Sequence, residues 1–332
     1  MDEFALIREY FTKSAASTTG AANFVGIGDD CAVLDVSQGD LVICKDVLIE
    51  GRHFFSDADP FLLGHKALAV NLSDLAAMGA QPVACLLGLG LPRVDQQWLS
   101  SFSHGFKVLA ERYDCALVGG DTTRSEQGLF ISVTALGLAQ QPHALRSSAK
   151  VGDDIWVSGQ LGAPKVALDL LIKQQQAPLS AVEVALLQLT RQRLEQPEPE
   201  VRLGLLLKPY VHAMIDVSDG LLQDLSHILK ASQVGAVVHQ DRVPLHPALA
   251  EPAALAGLDC ERCRDAALAG GDEYVLCFTA EPRYRSDIEQ CAVSASTQLC
   301  RIGQITADSA LILLDSAQQV VEELPQGFNH FA

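Results

Sequence analysis

Basic residues are scarce in this chain. Lys and Arg total 24 against 41 Asp and Glu, a formal net charge of -17 over 332 residues. That imbalance argues against a nucleic-acid partner, whose phosphates call for a basic surface. Long apolar runs are also missing: none reaches the ~18 residues of a membrane span, so no membrane partner is expected. The opening MDEFALIREYF carries acids where a secretory signal has a basic segment and an apolar stretch. The nine cysteines, odd in number, sit mostly within apolar segments. Both features point to reduced thiols in a cytoplasm. Cys260 and Cys263 form a C-x-x-C with no second Cys pair or His pair at zinc spacing, which argues against structural zinc. The chain has no G-x-x-x-x-G-K-[ST], and no G-x-G-x-x-G at a strand-to-helix turn. No Ser-His-Asp or Cys-His arrangement suggests covalent catalysis.

What is present is a large apolar content, 48%, enough for a substantial core. The length fits two domains. The polar connection at 140–152, with Pro142, Arg146 and Gly152, marks the boundary between residues 1–140 and 141–332. Apolar residues at 4–11 share one helical face, and the Ser/Thr/Ala/Gly stretch 12–22 reads as a loop. Strands are expected at 41–49, 83–91, 115–118 and 129–138. Helices are expected at 60–79, with Asp59 as N-cap and Pro60 in its first position, and at 95–113. The second half reads as a strand at 155–158, helices at 162–173 and 181–194, and a short strand ending at Asp216. A helix then runs from Asp219-Gly220 to about Ala231. Tail strands are expected near 301–305 and 311–315.

Short acidic clusters recur through this pattern. VGIGDDCAV places Asp29 and Asp30 behind glycines, a turn composition that also suits an oxygen-seeking cation. Asp46 interrupts an apolar strand. Asn71, Ser73 and Asp74 interrupt a helix of small apolar residues. GGDTTR follows the strand at 115–118 with a phosphate-loop composition around Gly120 and Asp121. In IDVSDGL, Asp216 ends a strand while Ser218 and Asp219 begin a helix, where backbone N–H groups favour anions. GGDEY carries Asp272 and Glu273 ahead of another strand. NLSDLAAMG and VSDGLLQDL echo each other, as do GGDT and GGDE, as if each half brought a similar acidic element to one site. Carboxylates in apolar settings, with few Lys or Arg nearby, need a compensating charge. Mg²⁺ fits, because it takes few carboxylates and completes its shell with water and substrate phosphates. The resulting expectation is phosphate chemistry with several Mg²⁺ ions and no general base.

The segments GIGDDCAV, KD-x-L-x-EG-x-HF, HKALAVNLSDLAAMGA, GGDTTR, IDVSDGL and GGDEY, in this order, resemble the thiamine-monophosphate kinases. Those belong to the superfamily of aminoimidazole ribonucleotide synthetase. The resemblance implies a two-domain α/β (α+β) fold whose N-terminal sheets pair across a homodimer. It implies Mg-assisted, in-line transfer from ATP to thiamine monophosphate. It places metal and nucleotide-phosphate ligands at Asp30, Asp46, Asp74, Asp121, Asp216 and Asp219. Nucleotide contacts fall at Gly120, Asp121, Arg146 and Ser218. Thiamine contacts fall at His53, Asp272, Glu273 and Phe328. Three positions depart from the family pattern. Lys45 replaces a small or apolar residue beside Asp46, where it would weaken a metal site or reach a phosphate. The acid pair reads Asp-Glu instead of Glu-Asp, and Phe328 replaces a Tyr or Trp. The alternatives are a selenophosphate or purine-pathway synthetase of the same superfamily, and a non-catalytic divalent-metal-binding scaffold.

Overall fold

The computed structural model describes residues 24–25, 32–36 and 39–329. The expected N-terminal helix at 4–11, the loop at 12–22 and the pair Asp29–Asp30 lie outside the described residues.

The first sheet is built from β1 (Phe24–Val25), β2 (Ala32–Val36), β3 (Gly39–Ile49), β4 (Gln81–Leu91), β5 (Ala116–Arg124) and β6 (Phe130–Ala139). Its order is β1-β2-β3-β6-β4-β5, antiparallel except between β4 and β5. Between β3 and β4 runs helix α1 (Pro60–Ala77), and between β4 and β5 runs α2 (Gln96–Arg112). Both begin as the sequence predicts. Asp59 accepts the N–H groups of Phe61 and Leu62 at 2.8 and 3.1 Å, and Asp95 accepts those of Gln97 and Trp98 at 3.0 Å. The two helices cross closely because Gly64 has no side chain: a Cβ there would lie 2.1 Å from the Phe102 carbonyl oxygen.

One expectation changes. GGDTTR is not a loop after a four-residue strand but the last six of the nine residues of β5 itself. Parallel pairing with β4 continues past a bulge at Cys85/Leu86, through Leu86↔Gly119 to Leu91↔Arg124. Gly120 permits this with φ +150°, since a Cβ would fall 1.8 Å from the Leu87 carbonyl oxygen.

The second half contains β7 (Asp154–Ser158), α3 (Ala163–Gln176), α4 (Ala181–Glu195), α5 (Val201–Leu207), β8 (Val211–Asp216), α6 (Leu221–Ser232) and β9 (Gly235–His239). It continues with α7 (Glu251–Leu255), α8 (Cys260–Ala269), β10 (Leu276–Ala280), α9 (Arg285–Ala295), β11 (Leu299–Thr306) and β12 (Leu311–Leu314). The sheet order is β12-β9-β11-β7-β10-β8, antiparallel except for β9 and β12.

Strand alternation sorts the core. Trp156, Met214, Leu276 and Phe278 point to the α1 side and share one core with Ile131, Val133, Phe102 and Phe106. Ile155, Val157, Ile215 and Cys277 point the other way, onto Leu221, Leu225 and Ile228 of α6. Helix α1 is thus sandwiched between the two sheets, and residues 63–73 are buried without a break. Leu, Ala and Val around this helix suit such a position, and its buried polar residues His65, Lys66, Asn71 and Ser73 need partners there. No helix among the described residues is long and apolar enough to cross a membrane.

Candidate functional site

The polar interruption of α1 explains itself once the neighbours are placed. Asn71 accepts the backbone N–H of Asp46 at 3.1 Å and so registers β3 against the helix. Ser73 donates to Asp216 Oδ2 at 2.7 Å, joining the helix to the end of β8. Asp74 follows, half-buried, on the wall of a cavity of about 1170 Å³ between the two halves. Asp46, Asp216, Ser218, Asp219, Asp272, His53 and Phe328 line the same cavity. The echo between NLSD and VSDG is therefore spatial: both segments meet at one place.

The loop from β8 into α6 is organised by Asp224, a residue that sequence reasoning passed over. Its Oδ2 accepts the N–H groups of Ser218, Asp219 and Gly220 at 3.0, 3.0 and 3.1 Å. The N–H groups expected to meet a phosphate are thus already bonded inside the chain, a correction to the simple helix-terminus reading. Burial pushes the Asp224 carboxyl well above the usual carboxylate range, and the charge of Asp219 adds to this. The backbone N–H bonds and the positive charge of Arg146 oppose it. Arg146 sits in a short turn held to α6 by Ser232, whose hydroxyl donates to the Arg146 carbonyl at 2.7 Å.

The segment 272–274 forms the facing wall. Asp272 N–H donates to Ser218 O and Tyr274 N–H to Val217 O, each at 2.8 Å. Lys66 of α1 reaches Asp272 Oδ1 at 2.6 Å across the cavity. Sequence reasoning missed Lys66 as well. Its signal was available: Lys66, Val70 and Asp74 fall at i, i+4 and i+8 on one helical face. Glu273 does not join the wall. It is buried in the core, accepts the Gly162 N–H, and leaves Oε2 without a partner among the described residues. Burial is the main reason its carboxyl is pushed up to about 8. Burial thus favours the protonated form of Glu273.

His53 Nδ1 accepts the Ile49 N–H at 2.9 Å, which places the proton of the neutral ring on Nε2. The tail straps over this end. Phe328 N–H donates to Asp219 O and its carbonyl accepts from Gln223 Nε2, both at 2.9 Å. The Arg52 guanidinium lies 4.6 Å from the Phe328 ring centre and donates to Asn329 O at 2.7 Å.

Other expected site residues lie elsewhere. Gly120 and Asp121 are on the exposed edge strand β5, outside the cavity wall. Cross-strand register puts Asp121 on the face of the sheet opposite Asp46: Asp121 pairs with Gly88, Gly88 with Ser132, and Ser132 with Val47. Lys45 shares that far face, its ammonium 2.6 Å from Ser132 Oγ and 3.4 Å from Thr134 Oγ1, so it is turned away from Asp46. Arg146 and Glu273 are also outside the cavity wall, and Asp30 is outside the described residues.

Among the described residues no three His, Cys, Asp or Glu side chains close into a ready metal-holding group. The donor set nonetheless fits Mg²⁺. Asp46, Asp74, Asp216 and Asp219 line one cavity, and this ion uses one or two protein carboxylates with water and phosphate oxygens for the rest.

Two family models match the chain: the N-terminal domain of AIR synthase related protein over residues 28–139 and the C-terminal domain over residues 150–315. The thiamine-monophosphate kinase of Escherichia coli K12 is 38% identical over 333 residues, covering 99% of this chain and 98% of its own. The crystal structure of thiamine-monophosphate kinase from Stenotrophomonas maltophilia K279a is 43% identical, with TM-score 0.77, covering 94% of this chain and 96% of that one. AaThiL complexed with AMPPCP and TMP is 29% identical, with TM-score 0.83, covering 99% and 97%.

Proposed function

We propose that this chain, which belongs to the thiamine-monophosphate kinase family of AIR synthase related proteins, transfers the γ-phosphoryl group of ATP to thiamine monophosphate, giving thiamine diphosphate and ADP. The observation that carries this reading is the meeting of Asp46, Asp74, Asp216 and Asp219 in one cavity, in a chain similar over its full length to kinases of that name. The AaThiL complex with the ATP analogue AMPPCP and TMP supports both substrates.

The acceptor is a phosphate oxygen, already anionic, so no side chain need remove a proton. Catalysis reduces to holding donor and acceptor in line and offsetting charge. Asp46, Asp74, Asp216 and Asp219 would hold Mg²⁺ in this cavity; the roles of Asp30 and of Asp121, which stands on the far face of the first sheet, rest on the family resemblance alone. When bound, Mg²⁺ neutralises the phosphates that these carboxylates would otherwise repel. Ser73 orients Asp216 through its hydroxyl, and Asp224 fixes the loop that presents Ser218 and Asp219. Gly120, Arg146 and Ser218 serve the nucleotide. His53, Asp272 and Phe328 serve the thiamine end. Glu273 acts from the core by fixing Gly162 at the start of α3.

The chain works as a homodimer in this reading. Val47, Ile49, Leu86 and Leu117 are about two-fifths exposed and Val118 is 62% exposed, all on the first sheet. A second copy covering that sheet would bury them, and with them the strand that carries Asp121. A cytoplasmic setting agrees with the buried thiols of Cys85, Cys115 and Cys277. The test is incubation with ATP, Mg²⁺ and a panel of phosphorylated acceptors, with products identified by mass. ATP consumption on another acceptor, without thiamine diphosphate, would sink the assignment.

A further inference from the structure

Lys66 and Asp272 form an ion pair on the cavity wall that joins a buried lysine of α1 to residue 272 in the second half of the chain. The lysine is buried, with its side chain 6% exposed, on a helix surrounded by small apolar residues. A buried ammonium is retained only where a partner balances it. Asp272 provides that balance through a single oxygen: Oδ1 accepts both Lys66 Nζ at 2.6 Å and the Tyr274 hydroxyl at 3.3 Å. Oδ2 accepts no bond among the described residues, and the Asp272 side chain remains 30% exposed on the cavity wall.

The backbone here is strained as well. Asp272 and Tyr274 have φ of +62° and +50°, unusual for residues with side chains and most of all for a bulky one. Such a conformation persists only where its surroundings hold it, as the bonds to Ser218 O and Val217 O do. The chain thus spends strain and a buried lysine on aiming one carboxylate oxygen.

Resting on the reading that thiamine monophosphate is the acceptor, we propose that Lys66 is a positioning residue for acceptor recognition. It clamps Asp272 by Oδ1 so that Oδ2 accepts a hydrogen bond from the exocyclic amino group of the aminopyrimidine. The clamp joins α1 in the first half to residues 272–274 in the second, so acceptor recognition depends on both halves. The shorter Asp, in place of the Glu expected first in this acid pair, suits the arrangement: its carboxylate stays within reach of Lys66 and close to the backbone that aims it.

The experiment compares kcat and KM for thiamine monophosphate, for its oxo analogue (oxythiamine monophosphate, which has an oxo group in place of the amino group) and for ATP. The variants are Lys66→Met, Lys66→Arg and Asp272→Asn. Loss of a charge-assisted hydrogen bond predicts a KM for thiamine monophosphate ~10-fold higher in Lys66→Met, with KM for ATP unchanged within about twofold. Wild type should prefer the amino compound over the oxo analogue by ~10-fold or more in kcat/KM, and Lys66→Met should erase most of that preference. Lys66→Arg should restore part of it, and Lys66→Met/Asp272→Asn should be no worse than the weaker single variant.

Asp272→Asn keeps the side-chain shape, so it reports the same loss even if Lys66→Met folds poorly. An unchanged amino-over-oxo preference in both single variants, or effects that multiply independently in the double variant, would overturn the proposal. Wild type making no thiamine diphosphate would overturn the functional reading and this proposal together. Wild-type turnover with an unchanged preference in the variants overturns the proposal alone.

Discussion

The two sheets have the same number of strands among the described residues and opposite relations to solvent. In the second, β7 and β10 are buried at every position, because α6 covers one face and α1 with α5 and α9 covers the other. In the first, β6 alternates buried residues with half-buried ones and the exposed Leu138, and every residue of β5 is exposed. Only one face of that sheet is packed. The carboxylates divide accordingly: Asp216 reaches the cavity from a sealed sheet, Asp46 from the packed face of the open one, and Asp121 stands on its bare face. The difference teaches that acids which look alike in sequence are placed by which surface of a sheet they occupy.

The most severe test removes the sealed sheet's contribution. Asp216→Asn keeps the shape and the bond from Ser73 but removes a charge from the cavity. Turnover should fall ~10²–10³-fold at saturating Mg²⁺ with an unchanged circular dichroism spectrum, as for loss of a major electrostatic element of a site. A near-normal rate would remove Asp216 from the metal set.

Glu273 tests the seal itself. Its carboxyl is pushed up to about 8 by burial, whereas an unfolded glutamate titrates near ~4.3. The stability it contributes is therefore complete below the unfolded value and is lost as pH rises toward 8. Glu273→Gln cannot ionise, so its denaturant midpoint should decline less between pH 5 and 8. The difference across that window should be on the order of 3 kcal/mol. Parallel pH profiles for the two proteins would show that water reaches the Glu273 carboxylate.

Asp224 separates local order from chemistry. Asp224→Ala leaves the N–H groups of Ser218, Asp219 and Gly220 without their acceptor. A loss of ~2 kcal/mol in unfolding free energy is expected. The KM for ATP should rise as the loop loosens.

The mildest test addresses the open sheet. Val118→Lys places a charge at a 62% exposed position on the edge strand. In the proposed homodimer, the dissociation constant measured by sedimentation should rise ~10-fold, because the second copy would bury that charge without a partner. A chain that sediments as a monomer before and after substitution would leave the bare face without a second copy.

The local chemistry of the chain was legible in its residues. Asp59 with Pro60 announced α1, the apolar runs at 41–49 and 129–138 announced β3 and β6, and the recurrence of Asp in apolar settings announced an acidic phosphate site. These signals are local, governed by capping, periodicity and the cost of an unpaired charge. Three outcomes needed the fold. GGDTTR became strand because β4 lay alongside to pair with it, and glycine composition alone reads as a loop. Lys45 and Asp46, neighbours in sequence, went to opposite faces. Asp272 and Glu273, also neighbours, separated into a cavity wall and a buried core, the first clamped by Lys66 from more than 200 residues earlier in the chain. The sequence by itself determined where α1 begins and which acids stand in apolar or glycine-rich settings. The tertiary structure alone decided which of them meet, because that depends on strand register, on the layer covering each face, and on partners far away along the chain.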